Sequence, residues 1–232
     1  TAIAGMATAD STTPAGVTAT LFAAEPLLVN PSDLDIDHRG RIWVTESLEY
    51  PRREPGPGKD RVKVLEDTDN NGSVDKVSIF AEGLNIPSGV AVGHGGVWVA
   101  NAPDILFYPD ANGDGVADGK PTVVVTGFGR SDTHELPNSL TWGPDGWLYG
   151  CHGVFTHSKV GKPGATDEDR LPLNASVWRY HPKKDIFEAF MNGTSNPWGV
   201  DFNDKGQAFL TACVIPHLWH VIQGGRYHRQ GG

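Results

Sequence analysis

Four times the chain repeats one arrangement of apolar and polar positions: a Pro, apolar residues at +3 and +5, and a Gly at +9. The copies begin at Pro31 (Leu34, Ile36, Gly40), Pro87 (Val90, Val92, Gly96), Pro137 (Leu140, Trp142, Gly146) and Pro197 (Val200, Phe202, Gly206). A two-residue spacing is strand alternation, the Gly closes a tight turn, and the apolar run after each Gly is the partner strand. Those runs are Ile42-Trp43-Val44, Val97-Trp98-Val99, Trp147-Leu148-Tyr149 and Ala208-Phe209-Leu210. Copies start 56, 50 and 60 residues apart, the period of propeller blades.

Each of the first three repeats continues into a second hairpin. Val62 to Leu65 is followed by Val77 to Phe80, Ile105 to Tyr108 by Thr122 to Val125, and Val177 to Tyr180 by Ile186 to Ala189. Four strands per repeat, A to D, predict an all-β fold: a β-propeller with four-stranded blades, present as an incomplete ring of about three and a half blades. Residues 1–18 read as a flexible lead and 19–232 as the propeller segment, with blades starting near 31, 87, 137 and 197 and a truncated C-terminus. Thr20-Leu21-Phe22-Ala23 resembles Ser78-Ile79-Phe80-Ala81 and reads as an orphan D strand. The fourth repeat is expected to run out around Leu218 to Ile222, leaving open strand edges.

Composition narrows the partners. The 29 Gly and 17 Pro suit many tight turns, and no segment shows sustained helical periodicity. A net charge of −9 argues against nucleic acid or an anionic membrane as partner, and no apolar run is long enough for a transmembrane helix. The Ala-, Thr- and Ser-rich opening, without an initiator Met, reads as the N-terminus left by cleavage of an exported protein, periplasmic or extracellular. Cys151 and Cys213 follow the second strands of consecutive repeats. They are either a disulfide between neighbouring blades or two buried thiols. Neither belongs to a C-x-x-C-H haem motif.

Two C–D loops carry spaced oxygen ligands. One presents Asp67, Asp69, Asn71, Ser73 and Asp75, with Gly72 at its sixth position; the other presents Asp110, Asn112, Asp114, Val116 and Asp118, with Gly115 there. Oxygen groups at positions 1, 3, 5 and 9 and a carbonyl at 7 wrap a hard cation, so both are expected to bind calcium. The twelfth position holds Ser78 or Pro121 instead of Glu, and strands replace the flanking helices of an EF-hand. Asp, Asn and Gly also populate such turns for conformational reasons alone.

The B–C loops and D-to-A connections emerge on the opposite face and are chemically richer. His134, preceded by Asp132, is the first candidate for a general base, and His152 the second, because an imidazole titrates near neutrality. Arg52, Arg53, Arg61 and Arg130 could hold carboxylates of an anionic ligand, and Trp198 could stack on a ring. Most tryptophans recur at blade positions and read as core; His38 and His94 lie in turns of the other face and read as structural.

Several stretches together resemble a known bacterial group. They are Val64-Leu-Glu-Asp-Thr-Asp-Asn-Asn-Gly72, Gly127-Phe-Gly-Arg-Ser-Asp-Thr-His134, Asn138 to Gly150, His152-Gly-Val-Phe155 and Ile222-Gln-Gly-Gly-Arg-Tyr227. From Ala19 to Gly232 the chain resembles the membrane-bound dehydrogenase domain family, β-propellers related to soluble sugar dehydrogenases that use pyrroloquinoline quinone (PQQ). The resemblance implies oxidation of a sugar or alcohol, PQQ as hydride acceptor, calcium, and a cytochrome c domain in the parent protein. The resemblance transfers no individual catalytic residue; the loops themselves put forward His134, His152 and Asp132 as catalytic and Arg130, Arg61 and Trp198 as cofactor contacts. Two alternatives stay open. A non-catalytic propeller would bind carbohydrate or protein, and a calcium-dependent lactonase-like hydrolase would hold an axial metal through Glu46, Asn101 and Asn196.

Overall fold

A computed structural model describes residues 16–52, 54–214 and 216–229 of this chain. Blade one is the meander β1 (Pro31–Ile36), β2 (Ile42–Glu46), β3 (Asp60–Glu66) and β4 (Lys76–Leu84). Blade two repeats it with β5 (Gly89–Gly93), β6 (Gly96–Asn101), β7 (Asp104–Pro109) and β8 (Thr122–Thr126). In blade three, β9 (Asn138–Trp142) and β10 (Leu148–His152) are followed by an inserted hairpin, β11 (Ser158–Val160) and β12 (Leu171–Leu173). The blade then resumes with β13 (Ser176–His181) and β14 (Ile186–Thr194). Blade four has β15 (Asn196–Phe202), β16 (Ala208–Cys213) and β17 (Leu218–Val221). The inner strands β1, β5, β9 and β15 stand side by side in chain order. The propeller with four-stranded blades expected from the repeat is the fold observed.

The repeated phrase has clear local causes. Each A–B turn places a glycine at positive φ, where a side chain would be strained: Gly40, Gly95, Gly146 and Gly206. In the second copy the turn glycine is therefore Gly95, one residue before the one the +9 spacing points to; Gly96 opens β6, where a Cβ would overlap the Tyr108 carbonyl. Asp37 organises the first turn. Its carboxylate accepts from the Arg39 and Arg41 amides, from Arg41 Nε at 2.7 Å and from Trp43 Nε1 at 3.0 Å. Burial alone would raise its pKa, but these donors together outweigh it and hold the carboxyl below its usual range.

Alternation along the strands puts the core in seams between blades rather than in one mass. Trp43, Val62 and Val64 of blade one meet Val97, Val99 and Tyr108 of blade two. Trp98 and Ile105 of blade two meet Leu148, Trp178 and Tyr180 of blade three, and Tyr149 and Met191 of blade three meet Leu210 and Val221 of blade four. Inner strands are also stitched by polar groups: the Asp33 carboxylate accepts from the Val90 amide at 2.9 Å and that of Asp35 from Val92 at 2.7 Å.

Three expectations are corrected. Thr20 to Ala23 forms no strand; Phe22 and Ala23 instead pack on Ile42, Val44 and Leu65 of blade one. The fourth repeat does not simply run out at Ile222, because a further strand, β18 (Arg226–Arg229), crosses back and pairs in parallel with β14 as a fifth strand of blade three. Cys151 and Cys213 are both free, the first buried and the second exposed, and burial pushes the Cys151 thiol up to about 12. Residues 1–15 of the expected lead lie outside the described residues.

Candidate functional site

The motif position just after the repeated Pro is occupied by Ser32, Ser88, Asn138 and Trp198. In the first two copies the hydroxyl ties one blade to the next: Ser32 Oγ donates to the Pro87 carbonyl at 2.6 Å, and Ser88 Oγ to that of Pro137 at 2.7 Å. Asn138 bonds to the Leu136 carbonyl. The fourth copy breaks the pattern with an indole that is 38% exposed. The strand starts of blades one, two and four, with Leu136 of the connection into blade three, meet at a cavity of about 470 Å3 lined by Ser32, Ser88, Leu136 and Trp198. Tyr50 and Ser47 enter from the first B–C loop, Thr133 and His134 from the connection into blade three.

His134 lines this cavity and is oriented by Asp132. Its Nδ1 lies 2.9 Å from Asp132 Oδ1, and its backbone amide donates to the same oxygen at 3.0 Å. With Nδ1–H donated to the carboxylate, Nε2 is left as the acceptor. Tyr50 meets the imidazole edge-on, with ring centroids 5.6 Å apart. Asp132 is itself anchored, its amide donating to Thr156 Oγ1.

Next to this dyad Glu135 is buried, and its Oε2 has no partner among the described residues. Burial, aided by the charge of Asp132, pushes its pKa up to about 8, from 4.5. An acid whose folded pKa is raised favours the fold while protonated, so it makes stability fall as pH rises from about 4.5 to about 8. Asp33, raised to about 7 mainly by burial, acts in the same direction. Glu135→Gln is expected to reduce the difference in unfolding midpoint between pH 5 and pH 8 by at least ~3 °C. Thermal melts at the two pH values check this, and an unaltered difference contradicts it.

The other candidates are placed elsewhere. His152 is buried, donating from Nδ1 to the Gly153 carbonyl (2.8 Å) and accepting at Nε2 from Ser158 Oγ (2.7 Å); burial holds its pKa below the usual imidazole range. It braces the inserted hairpin and does not line the cavity. Arg61 pairs with Glu46. Arg130 spans the face loops, bonding the Ala102 and Arg52 carbonyls and Asn85 Oδ1. Arg52 pairs with Glu49, and Arg53 lies outside the described residues. Of the axial-metal set, Glu46 is taken up by Lys63 and Arg61, while Asn101 Oδ1 accepts from the Asn85 amide and Asn196 Oδ1 from that of Val154. Sequence reasoning passed over Tyr50 and the serines after the repeated Pro; comparing that one position across the repeats would have marked the serines, whereas no sequence signal marks Tyr50.

On the opposite face the acidic loops differ. Carboxylate oxygens of Asp67, Asp69 and Asp75 lie within 4.8 Å of one another, and among the described residues no other group of three acidic, His or Cys side chains does so. Both loops share a hydrogen-bond pattern in which the first Asp accepts from the fifth- and sixth-position amides. The second loop, however, is clamped by Arg41 of blade one, whose Nη2 donates to the Gly113 carbonyl at 2.9 Å. Its carboxylates do not converge as those of the first do.

The chain belongs to the family described as a domain of unknown function (DUF7133), matched over residues 5–231. Curated proteins give no match. Similar solved structures include an oxidoreductase (glucose dehydrogenase) from Thermus thermophilus, with 19% identity and a TM-score of 0.58 over 87% of this chain and 64% of that one. The gluconolactonase XC5397 from Xanthomonas campestris shows 19% identity and a TM-score of 0.56 over 84% and 58%. The PQQ-bound aldose sugar dehydrogenase from Streptomyces coelicolor shows 18% and 0.53 over 86% and 62%. The chain thus spans less than two thirds of each of these structures and shares their propeller fold. The described residues form strands and no helix, so no helix is long and apolar enough to cross a membrane.

Proposed function

We propose that this member of the family binds a neutral sugar in the axial cavity, with Trp198 and Tyr50 as apolar platforms, serine hydroxyls as partners, and His134 as acceptor of a sugar hydroxyl proton. The observation that carries the reading is the convergence of the pattern-breaking Trp198 with the Asp132-held His134 in one cavity. A cavity of this size suits a mono- or disaccharide, and aromatic faces with a few polar groups are how such sites bind. PQQ would supply a hydride acceptor, but it carries three carboxylates. Among the described residues no Lys or Arg lines this cavity, and Arg61 and Arg130 are engaged by protein groups, so the donor set they present does not fit that cofactor. Sugar recognition therefore stands ahead of sugar oxidation. Titration with glucose, followed by tryptophan fluorescence, should give saturable quenching that Trp198→Ala weakens at least tenfold, about 1.4 kcal/mol. Equal affinity in Trp198→Ala, or no quenching of the folded chain, refutes it.

Calcium belongs to the first acidic loop in this reading. Asp67, Asp69 and Asp75, with Asn71, would hold the ion and pin the β3–β4 hairpin. A missing twelfth-position carboxylate suits the higher calcium of a periplasmic or extracellular setting. Millimolar calcium should raise the unfolding midpoint by a few degrees, an effect of order RT ln(1 + [Ca]/Kd). Asp69→Asn should abolish this rise and Asp114→Asn preserve it; the reverse order contradicts the assignment.

A further inference from the structure

A second concavity, of about 780 Å3, lies between the β11–β12 hairpin and the junction of β14 with β18. Lys159, His157, Arg226 and Arg229 line it, and among the described residues no Asp or Glu does. That is a local reversal of sign in a chain of net charge −9. Among the described residues the side chains of Arg226 and Arg229 have no hydrogen bond or ion pair, and Lys159 reaches only an exposed Asp167, at 3.4 Å. Arg41, Arg61, Arg130 and Arg179, in contrast, are all committed to carboxylates or carbonyls.

The strand bearing the two arginines is built into the fold. Gly193 adopts φ +111° and lets the Tyr227 backbone approach so closely that a Cβ would overlap it. The Asn192 amide donates to the Gly225 carbonyl at 3.0 Å, and Tyr227 Oη accepts from the Ile222 amide at 2.9 Å. Asn174, a residue of the groove lining, also carries an unmet acceptor behind the wall. Asn174 gives its Nδ2 protons to the Val154 and Thr156 carbonyls, which fixes the amide's orientation and leaves Oδ1 buried with no donor. A buried acceptor calls for a donor. Sulfate brings oxyanions and no donor; a sugar acid brings both.

We infer that this groove binds an acidic saccharide, its carboxylates paired with Arg226 and Arg229 and a hydroxyl donating to Asn174 once a small shift of the wall uncovers its buried Oδ1. The site is separate from the axial cavity. Thr156 receives the Asp132 amide on one side of the intervening segment, while His157 and Ser158 line the groove on the other.

Calorimetric titration of the whole chain with digalacturonate, its neutral methyl ester and sodium sulfate tests this. Digalacturonate should bind at least tenfold more tightly than either of the others, and its affinity should fall as salt is raised. Arg226→Ala with Arg229→Ala should weaken it at least tenfold, since charge-assisted bidentate pairs are among the strong ones. If that pair lowers the unfolding midpoint, Lys159→Glu serves, with loss of affinity again expected. Trp198→Ala should leave digalacturonate binding intact, so failure of the neutral-sugar reading stays distinguishable from failure of this one. Sulfate or the ester binding as tightly as digalacturonate, unchanged affinity in the folded arginine or lysine variants, or loss of affinity in Trp198→Ala overturns the inference.

Discussion

Replacing Glu46 by Gln is expected to destabilise the propeller by about 3–5 kcal/mol, because it strips the counter-charge from a buried ion cluster. Glu46 is fully buried at the end of β2. One carboxylate oxygen takes the Lys63 ammonium at 2.9 Å and the Val29 amide at 2.7 Å, and the other takes Arg61. The side chain of Lys63 is 7% exposed, so the substitution leaves an ammonium with no anion and little water. A buried pair can be neutral overall against an apolar replacement, whereas breaking one partner exposes the full desolvation cost of the other. The double variant Glu46→Gln with Lys63→Met should therefore recover much of the loss. Urea unfolding checks both variants. A single-variant loss below about 1 kcal/mol would mean that water reaches Lys63, and would free Glu46 for the axial-metal role that its pairing here denies it.

Asp60→Ala should cost about 3 kcal/mol and also weaken sugar binding, although Asp60 does not line the axial cavity. Its buried carboxylate accepts from the Glu49 amide at 2.9 Å and from the Ile86 amide at 2.6 Å. Hydrogen bonds to a charged group contribute about 1.5–3 kcal/mol each, and both amides would be left without partners. They belong to the B–C loop that carries Tyr50 and to the connection whose Ile86 lines the axial cavity. Loss of the clamp should therefore let the Tyr50 wall drift and reduce glucose affinity at least tenfold. Asp60→Asn, which keeps one acceptor, should fall between. Stability lost without any change in affinity would show that Asp60 holds the fold and leaves the cavity alone.

The architecture was legible because its cause is periodic. Alternation in Pro31 to Ile36, a turn glycine and the apolar run Ile42 to Val44 recur in each blade, and the strands follow. What resisted reading was non-repeating. β18 joins β14 in parallel because Gly193 has no side chain and Tyr227 closes the Ile222–Tyr227 turn, contacts between distant segments that no local pattern announces. Thr20 to Ala23 resembles Ser78 to Ala81 of β4, yet Phe22 and Ala23 find a seat on blade one without a ladder. At the site, His134, Asp132 and Trp198 are brought to one place, the first two by a hydrogen bond between near neighbours in sequence. Arg61, Arg130 and His152 look equally chemical in sequence. Their side chains are taken by Glu46, by backbone carbonyls and by Ser158, and only the packed loops reveal this.

A crystal structure of the chain grown with glucose tests the central claim most directly. A pyranose is expected in the axial cavity, its face against Trp198 and one hydroxyl within hydrogen-bond reach of His134 Nε2. An empty axial cavity at a glucose concentration that saturates the fluorescence change, or a sugar bound on another surface, would contradict it.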